Sequence, residues 1–284
     1  MKKIFLLLAL LLALTSRAFC GLLQDGNAKL AIGDYDGAIA NYTEYIASNP
    51  TTESKAVAYS DRGAAKQGKG DLDGAIADHT KAIELNPDYA SAYNSRGAAK
   101  HDKGDFASAI ADYTKAIELN PKLAWAYHSR GCLRYDQHSF TDALGDFRKA
   151  GELDMATALA DYARISVWRV RARLGEPAAA TKELQAYLEN RKTGKPGDWP
   201  SSIARFLTGQ LAEPDFFKAA ANADQKVERG QQCEAYFYAG TKWLIAGDKT
   251  TAQDYFEKCL ATGGKDFTEY SSAAAELKFL RAAK

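Results

Sequence analysis

Residues 56–89, AVAYSDRGAAKQGKGDLDGAIADHTKAIELNPDY, and residues 90–123, ASAYNSRGAAKHDKGDFASAIADYTKAIELNPKL, are two copies of one 34-residue pattern that follow each other without a gap. They are identical at 23 of 34 positions, including the glycines Gly63 and Gly97 and the closing Ile-Glu-Leu-Asn-Pro. A fixed period of this length is typical of architectures in which each repeat is one small structural unit that packs on its neighbours. The sequence therefore predicts a repeat protein.

The same pattern recurs, with more substitutions, on both sides of these copies. The residues that carry the match are Gly26, Ala38, Tyr42 and Pro50 in 19–52, then Tyr127, Gly131, Ala143, Phe147 and Ala150 in 124–157, and Gly240, Ala252, Phe256 and Gly264 in 233–266. Five units are thus predicted, at 19–52, 56–89, 90–123, 124–157 and 233–266.

Each unit has the periodicity of two helices. In residues 90–123 the apolar and small side chains recur at steps of three and four residues on two segments, which is the period of an α-helix. Gly97 and Ala109 are small where the two helices must approach closely, and Pro121 ends the second helix. The second helix follows a turn, and the Asp105 carboxylate can cap its free N–H groups. The same capping place holds Asp34, Asp71, Ser139 and Asp248.

The units resemble the tetratricopeptide repeat family. That family has, at these spacings, an aromatic residue, Gly, Ala, a second aromatic residue, a second Ala and a closing Pro. The resemblance implies an all-α fold, a right-handed α-solenoid of stacked antiparallel helix pairs, with a concave groove that holds extended or helical peptides.

The remaining segments depart from the repeat pattern. Residues 158–230 are predicted to form divergent helical repeats, with short helices at about 201–210 and 214–223. Residues 267–284 are predicted to form a capping helix whose apolar stripe is Phe267, Tyr270, Ala274, Leu277 and Leu280. From Trp199 to Tyr270 the spacing of aromatic residues is also similar to the C-terminal half of NlpI-type periplasmic repeat proteins.

The first 18 residues have the pattern of a secretory signal peptide. A Lys-Lys pair precedes the apolar run Ile4–Leu14, which is too short to cross a bilayer. Small residues favour cleavage after Ala18, with cleavage after Cys20 as the alternative, and Phe19 before that cysteine disfavours lipid attachment. We therefore expect an exported, soluble protein, periplasmic in a bacterium or otherwise secreted.

Charge and motif content exclude several classes of function. The formal charge is +1 and becomes −2 without residues 1–18, so nucleic acid is not an expected partner. No P-loop, dinucleotide fingerprint, nucleophile elbow, HExxH or CxxC pair occurs in the sequence. We expect no catalytic residue, no cofactor, no metal site and no membrane insertion of the mature chain, and a non-catalytic scaffold that binds another protein or a peptide. The alternative is an enzyme or small-ligand protein using the central groove, where His128 and Cys132 lie one helical turn apart.

Two charged positions repeat with the units, and they predict structural ion pairs. Each arginine precedes the packing glycine, and an aspartate follows sixteen residues later. A buried arginine is tolerated when a carboxylate pairs with it, so pairing is favoured over a row of ligand-binding arginines. The pairs are Arg62 with Asp78, Arg96 with Asp112, and Arg130 with Asp146. His79 replaces the aromatic residue of the other units and is predicted to be a core histidine.

The other stripe of each first helix is the candidate binding surface. Its members are Val57, Ser60, Ala64 and Gln67, then Ser91, Asn94, Ala98 and His101, then Trp125, His128, Cys132 and Tyr135, then Leu159, Tyr162, Ser166 and Arg169. The resemblance implies that this face lines the groove, and the candidate groove residues are Asn94, His101, Trp125, His128, Tyr135, Tyr162 and Arg169. Equally open is an interpretation in which Trp125 and Tyr162 pack against residues 158–230. The paired Lys and Asn residues of repeats that bind chaperone C-termini are absent from this face.

Two cysteines near the C-terminus are predicted to form a disulfide. In an antiparallel helix pair, the residue numbers of two facing residues add up to a constant. The residue numbers of Gly240 and Ala252, two small residues that face each other, have the same sum as those of Cys233 and Cys259. Each cysteine should therefore point into the same seam, two helical turns from its small residue. An oxidising compartment would let them bond. The alternative is two buried free thiols, and Cys132 has no evident partner.

Overall fold

The computed structural model describes residues 21–154, 158–191, 197–265 and 267–282. Every regular element in these ranges is a helix, which confirms the all-α repeat fold. The chain divides into two compact units, Met1–Pro121 and Lys122–Lys284. The predicted signal peptide and both cleavage sites fall outside the described residues.

The first unit contains helix pairs whose members are neighbours in sequence. Helix α2 packs on α3, α3 on α4, α4 on α5 and α5 on α6. The helices are α1 over residues 21–31, α2 Tyr35–Ala47, α3 Thr52–Lys69, α4 Leu72–Leu85, α5 Ala90–Asp102 and α6 Phe106–Leu119. The segments 56–89 and 90–123 each contain the turn and the second helix of one pair, as the periodicity predicts.

Aspartates begin the second helices of this unit, as predicted. Asp34, Asp71 and Asp105 each accept a hydrogen bond from the backbone N–H three residues later, at 2.9 to 3.2 Å. Gly104 precedes Asp105 with φ of +87°, a backbone conformation that favours glycine. Each carboxylate satisfies an N–H that the first turn of its helix leaves unpaired.

In the helix pair of each of the five predicted repeat units, a glycine lies against an aromatic ring, and this contact sets the spacing of the two helices. A Cβ added at Gly97 would lie 2.8 Å from the Tyr113 ring, and one added at Gly63 would lie 2.8 Å from the His79 ring. The same contact recurs between Gly26 and Tyr42, Gly131 and Phe147, and Gly240 and Phe256. The repeated glycine is therefore required by close approach of the ring.

The second unit contains the more divergent helices. They are α7 Ala124–Asp136, α8 Phe140–Leu153, α9 Ala158–Arg173, α10 Pro177–Glu189, α11 Trp199–Leu207, α12 Glu213–Ala219, α13 Gln225–Ile245, α14 Lys249–Ala261 and α15 Thr268–Ala282. The predicted short helices exist as α11 and α12. Helix α11 starts at Trp199, before the predicted residue 201, because Asp198 caps it by accepting from Ser201 N–H. At α8, Ser139 holds the predicted capping place but makes no side-chain capping bond.

Helix α13 begins eight residues before the predicted unit at 233. Asp224 caps it, accepting from the backbone N–H groups of Lys226 and Val227. Rings of Phe206, Phe216, Phe237 and Phe256 and the α15 leucines form one large apolar core with this helix. That core fixes the position of α15.

Helix α15 packs on α13 and α14 and also on α7, the first helix of the unit. Its buried residues are Ser272, Ala273, Glu276, Leu277 and Leu280. The predicted stripe is right for the two leucines and wrong for Ala274, which is exposed. Two buried residues of α15 are polar because they face polar groups of α7 and α9.

Candidate functional site

The predicted ion pairs between first and second helices are present. Arg96 donates to both Asp112 carboxylate oxygens, from Nε at 2.8 Å and from Nη2 at 2.7 Å. Arg62 binds Asp78 and Arg130 binds Asp146 in the same bidentate manner. The aspartates are buried, with at most 5% of their surface exposed.

A second cation, which the sequence interpretation missed, contacts each of these aspartates. Lys100 lies 2.8 Å from Asp112, and Lys66 and Arg134 occupy the corresponding places. Burial alone would raise the pKa of the Asp78 carboxyl, but hydrogen bonds from Arg62 and Lys66 outweigh it, and this pKa lies below its ordinary value. The signal for the second cation was a basic residue four positions after each arginine.

Within the first unit, the arginines also connect successive helix pairs. Arg96 Nη1 donates to Thr80 Oγ1 of the preceding pair at 3.3 Å, and Arg62 Nη1 donates to Thr43 Oγ1 at 3.0 Å. These arginines therefore link successive repeats and have a structural role. We expect ligand binding on another face of the helices.

His79 is a core residue, as predicted. It is fully buried, and neither ring nitrogen has a hydrogen-bond partner in the described part of the chain. Burial lowers the pKa of His79 to about 4. The ring is therefore neutral at physiological pH and packs against Gly63 as a tyrosine does in the next pair.

In the first unit, the candidate stripe lies on α3 and α5, which contact each other directly. Its α3 members are a buried Ser60 and the half-buried Val57, Ala64 and Gln67. Ser91 is exposed, and Asn94, Ala98 and His101 are half-buried. The Asn94 Oδ1 atom is buried and accepts no hydrogen bond from any described residue. A buried acceptor without a partner is costly, so a rotation of the Asn94 side chain that presents Oδ1 to an N–H of a bound chain beside the exposed Ser91 would be favourable.

Two carboxylates stand on or beside this stripe, which we call the α3–α5 face. Asp102 accepts from Gln67 Nε2 at 2.6 Å, which joins α3 to α5, and it lies 3.2 Å from His101 Nδ1. Asp61 follows Val57 by four residues and precedes Ala64 by three, so it shares their side of α3. No ion pair to Asp61 occurs among the described residues, and burial raises its pKa to about 6.

The second unit covers most of its own stripe. Tyr135 and Arg169 are 1% and 2% exposed, so the prediction that they line an open groove is wrong for this structure. The Arg169 guanidinium carbon lies 3.9 Å from the centre of the Tyr135 ring and 5.1 Å from that of Phe237 on α13. Helices α13 and α15 occupy the space that a peptide would need.

Helix α15 is held there by polar contacts. Glu276 accepts from Tyr135 Oη at 2.8 Å and from Arg173 Nη1 at 2.5 Å. Ser272 Oγ donates to Asp136 Oδ1 at 2.6 Å. A buried carboxylate is stable here because a cation and a hydroxyl group both point at it.

Tyr162 and Trp125 have different surroundings. Tyr162 Oη donates to Glu234 Oε2 at 3.2 Å, and Trp199 Nε1 donates to the same oxygen at 2.8 Å. Tyr162 therefore bonds to the predicted unit at 233–266 and packs on the core that residues 158–230 share with that unit, so only part of its contact is with the divergent segment. Trp125 is 57% exposed and contacts His128 edge to face.

His128 and Cys132 lie together but are poorly suited to catalysis. The His128 Nδ1 atom is 3.8 Å from Cys132 Sγ. Burial, with a smaller contribution from Arg169, lowers the pKa of His128 to about 4, and burial raises the pKa of the Cys132 thiol far above its usual value. A reactive cysteine requires the opposite shift, toward the thiolate.

Cys233 and Cys259 are both fully buried, as thiols, with their Sγ atoms 3.2 Å apart. The two sulfurs thus meet in the seam of α13 and α14, and the bond itself stays a prediction. Among the described residues, no group of three or more His, Cys, Asp or Glu side chains is placed to hold a metal ion. No helix in the described ranges combines the length and the apolar character that crossing a membrane demands.

Comparisons with known proteins match the helix pairs. A family model described as "TPR repeat" matches residues 63–104, and one described as "Tetratricopeptide repeat" matches residues 90–123. A tetratricopeptide repeat protein from Parabacteroides merdae is similar in structure, with a TM-score of 0.57 and 17% identity over 93% of this chain and 99% of that one. The crystal structure of MamA gives a TM-score of 0.50 and 20% identity over 69% of this chain and 98% of that one. At these identities the solved structures show the fold.

Proposed function

We propose that this chain, which belongs to the tetratricopeptide repeat family, is a non-catalytic scaffold that holds another protein or a peptide in an exported compartment. The repeats support the interaction role. The signal-like residues 1–18 support the compartment, periplasmic if the source is bacterial.

The α3–α5 face of the first unit is the proposed binding surface. The observation that carries it is the contrast in exposure between the units: Tyr135 and Arg169 of the second unit are almost fully buried, whereas on α5 Ser91 is exposed and Asn94, Ala98 and His101 are half-buried. After rotation of its side chain, the unpaired Asn94 Oδ1 would provide an acceptor for a partner's backbone. Peptide recognition commonly combines such backbone hydrogen bonds with pockets for side chains.

The charges of this face favour a partner segment that carries lysine or arginine. Asp61 and Asp102 are its acidic groups, and the stripe residues on α3 and α5 include no lysine or arginine. A cation next to Asp61 would restore the Coulomb stabilisation that the half-buried carboxylate lacks. Because the pKa of Asp61 is about 6, binding should strengthen as the pH rises from 5 to 7.

The test starts with capture of a partner from cell-envelope extract by the immobilised mature protein, followed by affinity measurement with the purified partner. Asn94→Ala combined with Asp61→Asn should weaken binding at least tenfold. The matched control is Lys81→Ala combined with Glu84→Gln, an exposed pair on α4 that should leave the affinity unchanged. Equal affinities for both variants would refute the α3–α5 face as the binding surface.

Trp125 provides a separate test of the second unit. Its exposed ring could act as a hot spot worth about 2 kcal/mol of binding free energy. If Trp125→Ala weakens binding and the α3–α5 variant does not, the binding surface lies on α7.

The compartment has its own test. Intact-mass measurement of the mature protein should give an N-terminus at Phe19 or Gly21 with no acyl group. A diacylglyceryl group on Cys20 would mean a membrane-anchored protein, and an intact Met1 would mean that the protein is not processed.

A further inference from the structure

We propose that Cys233 and Cys259 are oxidised to a disulfide in the exported protein, joining α13 to α14. The exported location is part of the proposed function, but the chemistry of the pair depends on the structure alone. The experiment below therefore includes an arm that is independent of the compartment.

The geometry of the seam carries this proposal. The sulfur atoms are 3.2 Å apart, and both side chains are fully buried in the same interface. Bond formation requires the sulfurs to approach to about 2.05 Å, a shift of roughly 1.2 Å that rotation about the side-chain bonds can share between the two residues. Two helical turns away in the same seam the backbones are close, because a Cβ added at Gly240 would lie 3.2 Å from the Ala252 carbonyl oxygen.

The two thiols have different surroundings in the closed seam. The hydrogen bond from Cys259 holds the pKa of Cys233 below its usual value, while the same contact and burial raise the pKa of Cys259. Cys259 Sγ also points at the Glu269 carbonyl oxygen at 3.7 Å. This pKa difference belongs to the closed seam and is absent while α13 and α14 are apart.

The reaction is thiol–disulfide exchange with a disulfide-carrying oxidant, such as oxidised glutathione or an envelope dithiol oxidase. The thiolate of one cysteine attacks one sulfur of the oxidant, releasing the other as a thiolate and leaving a mixed disulfide. The thiolate of the second cysteine then attacks the protein sulfur of that mixed disulfide and releases the second oxidant thiolate. Overall, two thiols lose two protons and two electrons, and the oxidant's disulfide is reduced to two thiols. Because both sulfurs are buried in the fold, exchange takes place before α13 and α14 close.

The bond would close the helix pair at its open end. A turn at Gly247 joins α13 to α14 at one end, and the two cysteines lie near the other. Cross-linking a loop of this length limits the unfolded chain, so the oxidised protein should unfold at a temperature roughly 5 °C or more above that of the reduced protein.

Thiol mapping tests the proposal in two arms. In the first arm, protein recovered from the envelope is denatured without reductant, alkylated and digested. In the second arm, purified reduced protein is refolded in a mixture of oxidised and reduced glutathione and then denatured, alkylated and digested in the same way. In both arms we expect a Cys233–Cys259 cross-linked peptide and alkylated Cys132. Cys132→Ser should retain the cross-link, and Cys259→Ser should lose both the cross-link and the redox-dependent shift in melting temperature.

The outcomes separate the proposal from the compartment. A cross-link in the refolded arm but alkylated cysteines in the recovered protein would keep the geometric inference and contradict the exported location. Alkylation of both cysteines in the refolded arm would overturn the disulfide whatever the compartment.

Discussion

Replacing a glycine by alanine should have opposite effects at two helical positions of this protein. Gly97 faces the Tyr113 ring in the seam of α5 and α6, whereas Gly145 lies on the exposed side of α8 with nothing within 4 Å of an added Cβ. Gly97→Ala should therefore destabilise the fold and Gly145→Ala should stabilise it. The chemical change is the same, so packing alone sets the sign.

The magnitudes follow from the contacts. Alanine in place of glycine within a helix gains about 1 kcal/mol from helix propensity, which is the whole expected effect at Gly145. At Gly97 the new methyl group would lie 2.8 Å from the buried Tyr113 ring and 3.3 Å from the Ala109 carbonyl oxygen. Overpacking of this kind costs about 1–3 kcal/mol. After the gain of about 1 kcal/mol from helix propensity is subtracted, the net loss for Gly97→Ala is up to about 2 kcal/mol in the free energy of unfolding.

Urea denaturation followed by far-ultraviolet circular dichroism measures both changes. A Tyr113→Ala background adds a direct check, because without the ring the Gly97→Ala change should no longer be destabilising. If Gly97→Ala stabilises the protein as much as Gly145→Ala does, the seam does not constrain the glycine. If it stays destabilising without the ring, the contact with Tyr113 is not the cause.

Three further outcomes are expected. Asp112→Asn should lower the free energy of unfolding by about 2 kcal/mol, because two cations lose their shared carboxylate. The control Glu118→Gln, in an exposed pair, should change it by less than about 0.5 kcal/mol. Equal losses for the two variants in urea denaturation would contradict this. His79→Phe should stabilise the protein more at pH 5 than at pH 7.5. The pKa of His79 is about 4 in the folded protein and about 6.5 in the unfolded chain, so the parent protein loses stability as the pH falls through that range. An unchanged pH profile of stability would refute this. Glu276→Gln should cost about 2–4 kcal/mol, because Arg173 is left mostly buried without a carboxylate, and thermal unfolding at the parent's midpoint would count against this.

Features that repeat with the 34-residue period could be predicted from the sequence. The pairing of Arg96 with Asp112 and the core position of His79 follow from comparing one unit with the next, because equivalent positions in stacked repeats have equivalent surroundings. The contact of Cys233 with Cys259 follows from the antiparallel geometry of a single pair. These are local inferences, and local geometry is what the period encodes.

The accessibility of the candidate groove could not be predicted in this way. Whether Tyr135 faces solvent depends on α15, whose Glu276 is 141 residues away in sequence and lies outside the repeats, and Arg169 is covered by Phe237 of α13. Ser272 and Glu276 interrupt the apolar pattern of α15, and this was the available signal that the helix faces polar groups. The sequence interpretation followed the apolar residues and therefore placed Ala274 in the stripe.

The contact of α15 with α7 has a consequence for how the second unit opens and closes. In the first unit each helix packs mainly on its neighbours in sequence, so its pairs can exchange amide protons by fraying one after another from an end. In the second unit, the bond from Tyr135 to Glu276 joins residues 141 positions apart, so the last helix cannot detach without exposing the first. We expect its amides to exchange through one concerted opening, and its folding to be slow, because a long loop must close before these contacts form.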